Sequence, residues 1–409
     1  MAELAPVYVI ATLDTKWDEA KFLADSIKAQ GVPAVIVDVG TLGAPLGRAD
    51  IDRTTVASFC ADGADQVLGR TDRGEAVIAM SQALRAFLIN AQAQHECSGV
   101  IGLGGTGGTS MIATAMRGLP IGFPKFMVST VASGDTSSYI GTSDITMMFS
   151  VVDVAGLNKV SRQIYRNAAG AIAGMARLGE APDDSRPAIG ITMFGVTTQC
   201  VTAVRHEVEN DGYDALVFHA TGIGGRAMEE LVTSGMLEGV LDLTTTEVAD
   251  KVVGGVFAAH PARFEATLAR DIPFVLSLGA LDMVNFGPID TVPAKFRDRK
   301  FHIHNSSVTL MRTTVEENIA CGKWIAEKLN AFPDAAFTLI IPEGGVSELD
   351  KPGNPFFDPE ADAALFATIE KEVQQNDRRK VIRCPAHIND QQFCDAVVAE
   401  FRRLFADIA

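Results

Sequence analysis

Between Gly99 and Ser110 the chain reads Gly-Val-Ile-Gly-Leu-Gly-Gly-Thr-Gly-Gly-Thr-Ser. An apolar run passes into five glycines within residues 102–108, and a helical pattern begins at once. Such a junction suits a buried strand that turns sharply into a helix whose first amides have no carbonyl partners. Without side chains in the way, an anion can approach that backbone, and the helix dipole favours negative charge there. Thr106, Thr109 and Ser110 add hydroxyl donors. A simple turn needs fewer glycines, so the segment is expected to bind phosphate within an α/β domain.

The flanking sequence supplies such a domain. Val7–Thr12 and Pro33–Val39 read as strands, the second apolar almost throughout, as expected of a parallel strand covered on both faces. Lys16–Gln30 between them places Ala20, Leu23, Ala24 and Ile27 at helical spacing and stops at Gly31. A helix over Gly74–Gln94, a strand Gly99–Leu103, a helix Thr109–Arg117, strands near Lys125–Thr130 and Ile145–Val152, and a helix over Asn158–Leu178 complete this half. The polar stretch Gly179–Arg186 before Pro187 is the expected boundary, dividing domain 1–182 from domain 183–409. The pattern then restarts: strand Ala188–Phe194, helix Thr198–Asn210, strand Ala215–His219. Val7 falls on Ala188 and Val35 on Leu216 at one offset of 181. Strands near Gly239–Leu243, Phe274–Leu278 and Phe337–Ile341 follow, with helices near Gly225–Ser234, Thr313–Asn330, Glu360–Asn376 and Gln391–Phe405. The fold class is α/β, two Rossmann-like domains with mainly parallel sheets.

Charge bounds the partners. The net charge is −16, from 51 acidic and 35 basic residues. No basic surface for nucleic acid is visible, and no apolar run is long enough for a membrane helix. The partner expected is a small ligand; an anionic one needs a local positive site against the global field. Six scattered cysteines and a start that leads directly into a strand are expected of a reduced, cytoplasmic protein.

Gly102-x-Gly104-x-x-Gly107 also fits the dinucleotide fingerprint, but it follows the third strand, and no acid stands about 20 positions on. No Walker lysine follows either. The candidate nucleotide site is therefore Gly104, Gly105, Thr106, Gly107, Gly108 and Thr109, joined by two other segments. Asp14 and Lys16 end the first strand, where Lys16 can neutralise phosphate and Asp14 can meet a ribose hydroxyl or magnesium. Arg70 and Arg73 stand in a turn before a helix and suit bidentate phosphate contacts.

The second half carries further candidates. Thr221–Gly225 follows a strand and resembles another anion turn. Asp282 and Glu343 follow strands, and His302 and His304 alternate on an extended stretch. His304 with Asp282 or Glu343 suits general acid–base work. The two histidines with Asp282, Glu316 or Glu343 suit a divalent metal. Arg312 with Ser306, Ser307 and Thr309 suits a carboxylate or phosphate.

Thr12–Lys16, Gly102–Thr109, Ala280–Gly287, His304-Asn305 with Val308–Thr314, and Phe357–Asp362 together resemble the ATP-binding domain family of the tomato mosaic virus resistance protein, over nearly the whole chain. The resemblance implies two Rossmann-like subdomains, ATP in the N-terminal one at Thr12–Lys16, Arg70 or Arg73 and Gly104–Thr109, and a homodimer. The plant relative's block of viral replication is a host adaptation and is not carried over. Three functions remain open: an enzyme using ATP with Mg2+ on a small anionic metabolite, as a ligase or phosphotransferase; a nucleotide-gated module without turnover; and a metal-assisted hydrolase or lyase in the C-terminal domain.

Overall fold

A computed structural model describes residues 4–179 and 186–406. The chain divides into two compact units, Met1–Asp183 and Asp184–Ala409. Of the expected boundary segment, residues 180–185 lie outside the described residues.

The first unit runs β1 (Val7–Ala11), α1 (Trp17–Lys28), β2 (Ala34–Asp38), α2 (Arg53–Ala57), α3 (Ala64–Leu68), α4 (Arg73–Ala93), β3 (Gly99–Gly104), α5 (Thr106–Met116), β4 (Lys125–Ser129), α6 (Ser137–Ile140), β5 (Thr146–Phe149) and α7 (Lys159–Leu178). Its strands form one parallel sheet in the order β2-β1-β3-β4-β5. β1, β3 and β4 are buried along their whole length, which explains apolar sequences without alternation. α4 and α5 cover one face, with Leu84, Phe87, Met111 and Ile112 against Tyr8, Ile10 and Val100. α1 and α7 cover the other, with Leu23, Ile27, Tyr165 and Ile172 against Val7, Val9 and Ile101. Each large apolar side chain enclosed this way contributes about 1.5–3 kcal/mol. Asn158 caps α7: its side chain accepts from the Val160 and Ser161 amides while its own amide donates to Ser161 Oγ.

The second unit runs β6 (Ala188–Met193), α8 (Thr198–Asn210), β7 (Asp214–His219), α9 (Ile223–Thr233), β8 (Gly239–Thr244), α10 (Thr246–Val253), α11 (Glu265–Arg270), β9 (Phe274–Gly279), β10 (Met283–Phe286), β11 (Phe301–Asn305), β12 (Val308–Arg312), α12 (Val315–Asn330), β13 (Phe337–Pro342), α13 (Pro359–Glu372), β14 (Arg379–Cys384) and α14 (Gln391–Ala406). Six strands form a parallel sheet in the order β14-β13-β9-β8-β6-β7, and β10-β12-β11 form a small antiparallel one. α8 and α14 pack on one face of the large sheet.

Both units are thus α/β with parallel sheets, and both reverse direction between their first and third strands. The repeat is looser by one residue than the sequence alignment implies. Tyr8 pairs Val35 in the first unit, and Ile189 pairs Ala215 in the second; the strand offset is 181 for β1/β6 and 180 for β2/β7. α5 begins at Thr106, three residues before the expected Thr109, with Gly105 as its N-cap. Glycine's poor helix propensity hides that first turn in the sequence, while the buried Met111, Ile112, Ala113 and Ala115 hold it in place.

Candidate functional site

Where an open parallel sheet reverses its strand order, the carboxyl ends of the two central strands leave a crevice. In the first unit those strands are β1 and β3. After β1 the chain makes a tight turn, with the Thr15 and Lys16 amides donating to the Thr12 carbonyl at 3.1 and 2.9 Å. Lys16 then becomes the N-cap of α1. Buried Asp38, at the end of β2, braces this turn by accepting from the Leu13 amide at 3.0 Å, the Gly40 amide at 2.8 Å and Arg53 Nε at 2.6 Å. Asp14 Oδ2 accepts from the Leu42 and Gly43 amides at 3.3 and 3.2 Å, so one carboxylate fastens the loop after β2 beside the end of β1.

After β3 comes the glycine turn. A Cβ on Gly104 would stand 3.1 Å from Gly108 Cα, so the backbone itself excludes a side chain there. At Gly105 and Gly107 a Cβ would meet nothing nearer than 3.8 and 3.9 Å, and the nearest atom to the latter is Arg73 Nη2. Among the described residues, the amides of Thr106, Gly107 and Gly108 have no protein acceptor, and Lys16 and Arg73 have no ion-pair partner. These groups line a cavity of about 540 Å3 together with Thr12, Asp14, Thr15, Gly104, Gly105, the loop Thr41–Gly43, Val77, Met111 and Asp153. That volume falls in the range of small-molecule sites.

Two expected members stand elsewhere. Thr109 is fully buried; its hydroxyl lies 2.6 Å from Ser129 Oγ and stitches the turn to β4, outside the cavity lining. Arg70 pairs with Glu75 at 3.3 Å and does not line the cavity. Thr41–Gly43, Val77, Met111 and Asp153 are additions. Asp153 follows β5 much as Asp14 follows β1, a signal present in the sequence; Val77 and Met111 carry none, being apolar helix residues.

The second unit treats its glycine turn differently. The Gly222 and Gly225 amides do bind a carboxylate, but it is the chain's own Glu247 Oε1, at 2.7 and 3.2 Å. Glu247 is held in turn by Arg263 at 2.9 Å, which also meets Asp242 at 2.7 Å and Glu229 at 3.4 Å. Burial opposes the Arg263 charge, but the three carboxylates outweigh it and hold its pKa well above the ordinary value. Burial pushes Glu229 up to about 7.

Asp282, Glu343 and His304 do not share hydrogen bonds or ion pairs among the described residues. Asp282 is fully enclosed, accepting from Ser347 Oγ at 2.7 Å. Burial first, and then neighbouring Asp350, push it up to about 7. Glu343 is exposed and paired with Arg383 at 2.8 Å. His304 is exposed on β11, an outer strand of the antiparallel sheet, so the shared carboxyl edge of the parallel strands does not include it. His302 sits edge-on to Phe356. Arg312 does hold a carboxylate, that of Asp362 at 2.7 Å, and it is buried away from a free ligand. Among the described residues no group of three or more His, Cys, Asp or Glu stands together as a metal site.

Two domains of one family match the chain: the N-terminal domain of the uncharacterised protein family UPF0261 over residues 5–181 and its C-terminal domain over residues 186–405. A UPF0261 protein of Rhizobium meliloti is 53% identical over 396 residues, covering 97% of this chain and 98% of that protein. One from Clostridium tetani is 48% identical over 394 residues, 96% of each. The ToMV resistance protein Tm-1(GCR237) of Solanum lycopersicum is 47% identical over 416 residues, covering 97% of this chain but 55% of the tomato protein, so this chain spans about half that relative's length. With both family domains matched in order and full-length relatives at about half identity, the chain belongs to the UPF0261 family.

Proposed function

We propose that the first unit binds ATP with Mg2+, the phosphate chain lying on Gly105–Gly108. The observation that carries this is the contrast between the two turns. Gly222–Gly225 has its anion built in, whereas the amides of Thr106, Gly107 and Gly108 open onto a cavity that also holds Lys16 and Arg73. In a chain of net charge −16, two cations left without carboxylates point to an external anion. The donor set fits a triphosphate, and Asp14 and Asp153 each keep an oxygen for a ribose hydroxyl or a phosphate-bound magnesium. The metal would neutralise phosphate charge, while Lys16, Arg73 and the amides orient the chain.

The reaction class that goes with this reading is that of an ATP-dependent ligase or phosphotransferase acting on a small anionic metabolite, as a cytoplasmic homodimer. Calorimetry with the Gly105→Val/Gly107→Val variant tests the site. An added Cβ meets its nearest atoms at ordinary van der Waals distance, 3.8 Å at Gly105 and 3.9 Å at Gly107, so the variant is expected to fold and ATP binding to disappear. Undiminished affinity in the folded variant refutes the assignment. Release of ADP or AMP in a metabolite mixture reads the turnover, and light scattering reads the dimer.

A further inference from the structure

The cavity's hydrogen-bonding groups and its apolar walls have separate tasks. Resting on the nucleotide reading above, we infer that the site recognises the polyphosphate and leaves the base unread: its ligand class is nucleoside triphosphates irrespective of base, with inorganic tripolyphosphate as the minimal member.

Choosing one base over another requires paired hydrogen bonds to its edge, from side-chain amides, a carboxylate using both oxygens, or free backbone groups. Among the described residues, no Asn, Gln, His or aromatic side chain lines the cavity. The Leu42 and Gly43 amides are taken by Asp14 Oδ2. That bond also uses one of the Asp14 oxygens, and the Val154 amide uses Asp153 Oδ1 at 2.8 Å. Neither carboxylate retains two free oxygens for the adjacent N–H groups of guanine. Of the remaining walls, Leu42, Val77 and Met111 give apolar contact that every base accepts, the Thr12 and Thr15 hydroxyls lie 3.3 Å from each other, and the Thr41 hydroxyl, both donor and acceptor, suits the edge of any base. Leu42 is 66% exposed, so a base resting on it keeps its edge in water. A site that hydrogen-bonds its substrate rejects the analogue lacking the group by about 10^4–10^5, whereas an apolar wall separates by about 10^2 at most. The donors meanwhile converge on the phosphates: three amides, Lys16 and Arg73.

The test is calorimetry on the full chain with ATP, GTP, CTP and inorganic tripolyphosphate, each with Mg2+, repeated on the Gly105→Val/Gly107→Val variant. Dissociation constants for the three nucleotides within about tenfold of one another, displacement of ATP by tripolyphosphate, and loss of all four in the variant are expected. ATP bound more than about a hundredfold tighter than GTP and CTP, yet lost in the variant, overturns the inference while the nucleotide site stands. Failure of tripolyphosphate to displace ATP overturns it as well. If no nucleotide binds the wild-type chain, the nucleotide reading falls and takes the inference with it.

Discussion

Asp282→Asn separates the cost of a buried charge from the structure it supports. Asp282 is fully enclosed beside Asp350, Asp362 and the cation Arg312. Its Oδ2 accepts from Ser347, while its Oδ1 and the Oδ1 of Asp350 have no hydrogen-bond partner. Burial and Asp350 raise the carboxyl from 3.8 to about 7; that difference, about 3 pH units, corresponds to roughly 4 kcal/mol at about 1.36 kcal/mol per unit. The folded state favours the protonated acid, so this contribution is fully present below pH about 4 and is lost as pH climbs to about 7. Between pH 5 and pH 8 the loss is about 2 units, roughly 3 kcal/mol. Asp362, raised to about 8 by burial and Asp350, titrates with it as a set. An asparagine has no proton to lose, and its carbonyl still accepts from Ser347. Trp17 and Trp324 are the chain's two tryptophans, one in each unit. In a Trp17→Phe background, urea unfolding followed at Trp324 therefore reports the second unit. The wild-type background is expected to lose roughly 3 kcal/mol more than the Asp282→Asn variant between pH 5 and pH 8. Equal losses, within about 0.5 kcal/mol, refute the reasoning.

Thr109→Val deletes the buried hydroxyl that meets Ser129 and is expected to destabilise the first unit by about 1–3 kcal/mol, read by urea unfolding at Trp17, while ATP affinity stays within about twofold; a large affinity loss with unchanged stability places Thr109 in the site after all. Glu247→Ala strands Arg263 among its remaining carboxylates and leaves the Gly222 and Gly225 amides without an acceptor, with an expected cost of about 3–5 kcal/mol; a loss under about 1 kcal/mol in the Trp324-monitored unfolding contradicts the role given to it.

The parallel sheets were legible because their strands are buried on both faces and their helices are amphipathic, so Val7–Ala11 and Thr198–Asn210 are plain in the sequence. β14, with Arg379, Lys380 and Arg383 in six residues, and the four-residue β10 were not, since charge or brevity masks the period that a strand needs. At the candidate site, the glycine turn, Asp14, Lys16 and Arg73 were legible from their place at element ends. What the sequence hides is which polar groups are already used. Thr109 and Thr106 look alike in the sequence, yet one is bonded inward to Ser129 and the other faces the cavity. Likewise, nothing local to Gly222–Gly225 announces that a glutamate more than twenty residues later fills it; only the three-dimensional path of the chain brings Glu247 there.

That built-in carboxylate has a consequence for ligand competition. A group tethered to the same chain meets its partner amides in an intramolecular contact, at an effective concentration set by the fold and not by the supply of dissolved anions. The Gly222–Gly225 nest therefore behaves as a receptor fused to its own ligand: saturated at every metabolite level, indifferent to supply, and answering only to whatever moves α10. The Gly105–Gly108 turn has no such tether: its free amides open onto the cavity, and under the proposed function their occupancy would follow the ligand's concentration. Among the described residues, one glycine turn thus carries its own anion and the other leaves its amides open.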